Sequence, residues 1–296
     1  MELLIEIGVE ELPAIPFLKE RANIAPKWRA VLEANRINSD FRFEFSPRRF
    51  VLFHEDFPQR GDDAQIVSTG APKSVALKDG AWSPAALSFA KKCGISESEL
   101  EFRQVGGKEV LYHAAVQKGR DSREILGEMI EEFLRSLNFG RAMRWGSGKF
   151  EFIRPIRSIA CVLGGQNVDF EIYGVRSAAA FFPHRKFGYE AIKFKDAADY
   201  FALLERNGVI LSERKRKDKI LSEFAKLEKK HGFKIEIDPA LLDEVTAITE
   251  YPTALLGSFE RDFLSVPKEV IITSMKENQR YFPVFKGGKL ANGFVV

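Results

Sequence analysis

Phe41, Phe43 and Phe45 alternate with Arg42 and Glu44, the period-two pattern of a half-buried strand. Residues 3–7 read as an earlier strand, and a helix over 17–34 follows it, with Pro26 as a point of interruption. Ser46-Pro47 makes a turn, and residues 50–54 return as the strand's partner. The polar stretch 58–80, which holds glycines, aspartates and serines, reads as a loop crossing or a flexible excursion. Ser83 before Pro84 opens a short helix that stops at Gly94. Residues 102–105 and 110–116 flank Gly106-Gly107, a hairpin signal. Asp121 or Ser122 caps an amphipathic helix running to Leu137, with Ile125, Met129, Ile130, Phe133 and Leu137 inward. Residues 156–163 and 168–175 read as strands joined by Gly164-Gly165.

Beyond Tyr189 the period changes. Residues 197–206, 212–231 and 239–249 are helical, separated by Asn207-Gly208 and Gly232. Another helix opens at Pro267, and an extended segment follows Phe282-Pro283. At about 100° per residue, Val270, Ile271 and Met275 fall on one face of that helix, while Thr273, Lys276 and Arg280 gather on the other. The pattern predicts an α+β chain: a mixed sheet-and-helix part over 1–188, then a mainly helical part over 189–296 that ends in a β-hairpin at Gly287-Gly288.

Composition narrows the function classes. A chain of 296 residues buries a substantial core and has room for roughly two or three domains. Its net charge of +3 does not announce a nucleic-acid binder, so any such case rests on local clustering. Cys93 and Cys161 lie far apart, and His54, His113, His184 and His231 are scattered. Neither a disulfide framework nor a metal site is indicated, which fits a reducing, cytoplasmic setting. MELLIEIG carries acids inside its apolar run and no cationic leader, and no window has the roughly 18 apolar residues of a membrane span. The chain stops at GFVV, part-way through an apolar strand-like run, and reads as a fragment.

Cations cluster in four places. Between Phe133 and Ala160 lie Arg135, Arg141, Arg144, Lys149, Arg154 and Arg157 against the single acid Glu151, interleaved with Phe139, Trp145, Phe150 and Phe152. Basic side chains neutralise phosphates and aromatic faces stack on unpaired bases, so this composition fits RNA contact. A core of aromatics rimmed by solvated arginines fits equally well. The helix over 212–231 carries RKRKDK at 214–219 plus Lys226, Lys229 and Lys230, around the apolar stripe Ile220, Leu221, Phe224 and Leu227; it too can be a phosphate-facing or a merely solvated face. Arg48 and Arg49 sit at a hairpin tip suited to phosphate or carboxylate, or to structural pairing with acids such as Glu10 and Glu11. Lys276 and Arg280, with Thr273 and with Gln279 at the margin of their face, form the fourth group, which suits an anionic ligand or is a solvated helix face. Phosphate-loop, dinucleotide-fold, zinc-protease and nucleophile-elbow motifs are all missing from the sequence.

The wording of several segments is more specific than their chemistry. VPKEVIITSMKENQRYFPVF at 266–285, LLDEVTAITEYPTALLGSF at 241–259, ELLIEIGVEELPAIPF at 2–17, SPRRF at 46–50 and MRWGSGKFEFIRPIRSI at 143–159 resemble, in order, the beta-subunit family of the bacterial heterotetrameric glycyl-tRNA synthetase. The stretch AAAFFPHRKF at 178–187 departs from that family, with Pro183 where a glycine is usual before the His-Arg pair, so no active-site role is carried over to His184.

The resemblance implies an N-terminal fragment of a subunit of an ATP- and magnesium-dependent ligase that charges glycine tRNA. Two alpha and two beta chains take part, and the alpha chains carry the aminoacylation centre. The expected role is auxiliary, with tRNA contacts at Arg48, Arg49, Arg144, Trp145, Arg154, Arg157, Arg185, Lys276, Gln279 and Arg280. No catalytic residue, metal or cofactor site is expected here, and neither DNA nor membrane is a partner. Two rivals stay open. One is an editing-type hydrolase of mischarged tRNA, since part of the region is similar to the module in the phenylalanyl-tRNA synthetase beta subunit. The other is an assembly scaffold without RNA contact.

Overall fold

The opening strand runs over Leu3–Val9 and is buried at every position, which is why LLIEIGV is almost wholly apolar. In the computed structural model, which describes residues 1–296, it lies at the centre of a five-stranded antiparallel sheet. Arg49–His54 pairs on one side and Ile156–Leu163 on the other, with Arg42–Ser46 and Gln166–Asn167 at the edges. Strand alternation then divides the residues between two layers. Ile5, Phe50 and Leu52 share the face carrying Phe43 and Phe45, where Phe17 of helix Ala14–Ala34 packs at a tilt against Phe45 and Phe50. On the opposite face, Leu4, Val51, Phe53, Ala160 and Val162 pack with Phe181, Phe194, Tyr200 and Leu204, the last two from helix Ala197–Arg206.

Most of the sequence-predicted elements are present, with four informative departures. Helix Ala14–Ala34 continues through Pro26 because Phe17, Ile24, Trp28, Val31 and Leu32 bury one stripe on both sides of it. Packing there outweighs one lost backbone hydrogen bond. The 58–80 stretch is not a crossing loop: Ala64–Pro72 is a strand and Lys73–Ala76 a helical turn. Its polar residues are tolerated because most of the strand is exposed. Residues 168–175 do not form one strand, since the chain reverses at Tyr173-Gly174 between Glu171–Ile172 and Val175–Arg176. The helix near the end is a short one, Lys268–Thr273, that widens into a π turn over Ser274–Gln279 and closes on Arg280 at φ 62°. Met275 is buried there as expected, but Val270 faces solvent.

Two contact-defined units result: Met1–Ala34 with Asn38–Gln59 and Arg123–Val296, and Asn35–Ile37 with Arg60–Ser122. The smaller unit has a three-stranded sheet in which Lys108–Gln117 lies between Ala64–Pro72 and Glu101–Val105. Its helix Pro84–Cys93 starts on the Ser83 cap and ends on left-handed Gly94, burying Ala86 and Phe89 with Leu111 and Ala76. The larger unit also holds a C-terminal four-stranded sheet, including the expected Phe282–Lys286/Lys289–Val295 hairpin, under helices Glu213–His231 and Pro239–Ile248. No helix is long and apolar enough to cross a membrane.

Beneath helix Ala14–Ala34, His54 is fully buried. Trp28 Nε1 donates to its Nε2 at 3.0 Å, and its Nδ1 lies 2.8 Å from Ser39 Oγ, which donates to the Asp56 carbonyl. A ring that accepts at Nε2 is neutral, and burial holds its pKa down at about 4. The unfolded chain binds this proton more readily, so stability is retained above the ordinary histidine pKa and lost as pH falls from about 6.5 towards 4. Urea unfolding at pH 7 and pH 5 should show a loss of about 2 kcal/mol that His54→Gln largely removes. An equal pH response in that variant would refute the assignment.

Candidate functional site

Arg49 lies on the inner face of its strand, in register with Gly8 on one side and Ser46 on the other. It is 2% exposed. Its guanidinium donates to Glu6 Oε2 (3.0 Å), Glu250 Oε1 (3.2 Å), Ser46 Oγ (3.2 Å) and the Phe182 carbonyl (2.9 Å). Glu6 also accepts from the Tyr200 hydroxyl, and Glu250 from Ser46 Oγ and Arg48. Arg48 additionally caps the Pro183 carbonyl at 2.9 Å. Burial opposes charge on Arg49, Glu250 and Tyr200. For Arg49 the adjacent Glu6 and Glu250 carboxylates outweigh that cost and raise its pKa, and for Glu250 the two guanidiniums hold its pKa below the usual range. For Tyr200, burial and the Glu6 charge act together and push the phenol well up. The acids facing Arg48 and Arg49 are therefore Glu6 and Glu250, rather than Glu10 and Glu11.

Glu10 and Glu11 meet other members of the expected set. Arg185 bridges both, at 2.7 and 2.8 Å. Arg157 approaches Glu10 at 3.4 Å, and Arg154 donates to the Glu11 carbonyl at 3.0 Å. Five arginines, 48, 49, 154, 157 and 185, thus converge at the end of the first strand from three separate stretches of chain. Arg48, Arg49, Arg157 and Arg185 line a cleft of about 270 Å³ with Glu6, Glu10, Ser158 and Tyr189. Of these arginines Arg157 is the most open, with 63% of its side chain exposed.

Arg144 and Trp145 lie elsewhere: Arg144 lines a larger hollow of about 750 Å³ formed by residues within 134–153 and by Tyr173, and Trp145 packs beside two of its lining rings, Phe150 and Tyr173. Arg135, Arg141, Arg144 and Lys149 line it against the lone acid Glu151, over a floor that includes buried Leu134, Phe139, Phe152 and Ile153. Arg144 pairs with Glu151 at 2.6 Å and Arg135 with Glu131 at 2.7 Å, both arginines being about 70% exposed. Arg141 and Lys149 make no ion pair or hydrogen bond. Of the aromatics interleaved with these cations in sequence, Phe139 and Phe152 join the core around Phe50, whereas Trp145 and Phe150 cluster with Tyr173. The composition of 133–160 held no sign of Tyr173, which the 173–174 turn delivers from outside that window.

The last three expected residues are not brought to either place. Lys276 pairs with Glu236 and, at 3.6 Å, with Asp238; Arg280 pairs with Glu244 at 2.7 Å; Gln279 is exposed beside them. The helix Glu213–His231 holds a further surprise. Arg216 of its basic run is fully buried because it lies one turn before Ile220 and two before Phe224. It donates to the carbonyls of Phe45, Ile210, Leu211 and Thr246, and burial brings its pKa down to about 10. His184 is bonded to the Lys186 amide, and burial pushes the Cys161 thiol up, away from nucleophilic use. The carboxylate, histidine and cysteine side chains form no group of three placed to hold a metal ion.

Comparison with known proteins places this chain in context. The family model described as "Glycyl-tRNA synthetase beta subunit" matches residues 3–296. Among curated relatives, the glycine–tRNA ligase beta subunit of Helicobacter pylori (strain HPAG1) is 40% identical over 310 residues, a match covering 100% of this chain and 44% of the relative. The corresponding subunit of Clostridioides difficile (strain 630) is 37% identical over 295 residues, covering 99% and 43% respectively. That of Bacillus subtilis (strain 168) is 36% identical over 297 residues, again 99% and 43%. The chain therefore spans less than half the length of the curated relatives it matches.

Truncating one partner of a buried ion pair leaves the other charge uncompensated. Glu250→Ala strands Arg48, removes one of the two carboxylates of buried Arg49, and should cost roughly 3–5 kcal/mol in urea unfolding. The same measurement on Glu131→Ala, whose Arg135 partner is exposed, should show a far smaller loss, because solvent screens that pair. Similar losses for the two variants would contradict the burial-based account.

Proposed function

The chain belongs to the glycyl-tRNA synthetase beta-subunit family, and on that premise we propose that it is an auxiliary part of glycine–tRNA ligase, orienting glycine tRNA and helping to assemble the enzyme with its alpha subunit. The observation that carries the RNA half of this reading is a partition among the cations. Arg49 and Arg216 are consumed inside the fold, Arg48, Lys276 and Arg280 are held in partly buried ion pairs, and Arg185 is clamped between two acids. Arg141, Arg144, Lys149 and Arg157 stay on the surface with no partner or with an exposed or distant one. A polyanion gains most from cations whose charge is not already neutralised by an acid of the same protein.

The same residues support placing the activation of glycine elsewhere. Glu6, Glu10, Glu11 and Glu250 are each engaged by an arginine, and Glu236, Asp238 and Glu244 by Lys276 or Arg280, so these acids do not suit a magnesium–nucleotide site. In this reading ATP and magnesium act through the alpha subunit. Exposed Leu255, Phe263, Leu264 and Val270 supply apolar surface for assembly. An editing hydrolase needs a nucleophile beside a base, and the buried Cys161 and the backbone-bonded His184 do not supply that pair.

Titration of glycine tRNA into the chain at two salt concentrations, with and without alpha subunit, tests the proposal. Arg144→Ala and Arg157→Ala should each weaken binding several-fold and each lower the salt slope by about 0.7–0.9. Unchanged affinity and slope in both variants would overturn the RNA role, and deacylation of mischarged glycine tRNA above background would favour the hydrolase instead.

A further inference from the structure

The hollow at 134–153 has a composition that a general phosphate-binding surface does not require. Phe150 and Tyr173 stack with ring centroids 5.4 Å apart and an interplanar angle of 26°, and Trp145 stands edge-on to Tyr173 at 6.3 Å. All three rings are half-buried rather than submerged in the core. Beside them lie Arg141 and Lys149, the two lining cations without any internal partner. Tyr173 reaches this place through a backbone that disfavours it. Its φ is 55°, followed by Gly174 at 75°, the paired left-handed residues of a two-residue hairpin turn. Asparagine or glycine suits the first of those positions, and an aromatic residue there is rare. The ring is held nonetheless, packed on Phe150 and Trp145 with the Arg135 guanidinium near its hydroxyl. Gly148 helps seat the second ring, since a Cβ there would lie 2.3 Å from the Phe150 side chain.

We propose that this hollow is a subsite for one unpaired nucleotide of single-stranded RNA, its base stacked on the Phe150/Tyr173 wall that Trp145 backs from the side, and its flanking phosphates held by Arg141 and Lys149. The inference rests on the RNA-binding reading above and narrows it to a structural class of RNA. A volume of about 750 Å³ exceeds what one nucleotide needs and leaves the strand room to enter and leave. A duplex hides its base faces within the stack, so it would use the cations and leave the aromatic wall without a partner. Stacking is tolerant of base identity, which makes the subsite a reader of strandedness more than of sequence.

The test uses the whole chain and three probes: a fluorescent single-stranded RNA of about eight nucleotides, the same strand annealed to its complement, and glycine tRNA. The single strand should bind at least about tenfold more tightly than the duplex and change the fluorescence of Trp145. Tyr173→Asn relieves the backbone while deleting the ring. It should keep or raise the Tm yet weaken the single strand roughly five- to hundredfold. Arg141→Ala with Lys149→Ala should lower the single-strand salt slope by about 1.4. Equal affinity for duplex and single strand, or wild-type affinity in Tyr173→Asn, would overturn the subsite. If tRNA binding responds to Arg144 and Arg157 while the short strand does not bind, the subsite falls and the wider RNA role stands. If neither RNA binds, both fall.

Discussion

One buried arginine between two buried carboxylates governs much of this structure. Arg49, Glu6 and Glu250 are drawn from a hairpin, the central strand and the segment after helix Pro239–Ile248, and none has appreciable contact with water. Removing such groups from water costs several kcal/mol each unless every partner is in place. Tyr200 from another helix and Ser46 from the hairpin complete the set. The network therefore links four stretches of chain that cannot be satisfied separately. This is a constraint on which arrangement is allowed more than a source of net stability.

That constraint also decides which charges remain for other molecules. With 45 basic and 42 acidic residues, the chain has little long-range field of its own. Exposed charges separated by more than about 8 Å are screened at physiological salt, so what matters is whether a cation has an acid beside it. In sequence, Arg48 and Arg49 at a hairpin tip suit a phosphate or a carboxylate, and the fold brings Arg154, Arg157 and Arg185 to the same end of the first strand. In three dimensions Glu6, Glu10, Glu11 and Glu250 converge with them, and only Arg157 keeps most of its surface open. Around 134–153 the balance is reversed, because Glu151 is the lone acid lining the hollow.

Two local conformations mark where the chain gives up regularity. The Ser274–Gln279 π turn closes on a left-handed Arg280, and its widened backbone aims Lys276 and Arg280 at the acids of 236–244. The Tyr173-Gly174 turn carries its aromatic ring to Trp145 and Phe150, 28 and 23 residues earlier in sequence. Each is a place where side-chain position, rather than backbone preference, fixes the shape.

Periodicity and turn chemistry alone determined much of the architecture. The strands at 3–9 and 42–54, the Ser83-capped helix, the hairpins at Gly106-Gly107 and Gly287-Gly288 and the three helices between 197 and 248 follow from local spacing and punctuation, which act over a few residues. Distinctive segments such as MRWGSGKFEFIRPIRSI also carried the family before any coordinate did. Tertiary structure decided what composition cannot. It set the fate of Pro26, the strand within 58–80, the burial of Arg216 among carbonyls and the assignment of each arginine to an acid or to solvent. Charge is counted along the chain but neutralised through space, and the acids that silence Arg49 lie 43 and 201 residues away from it.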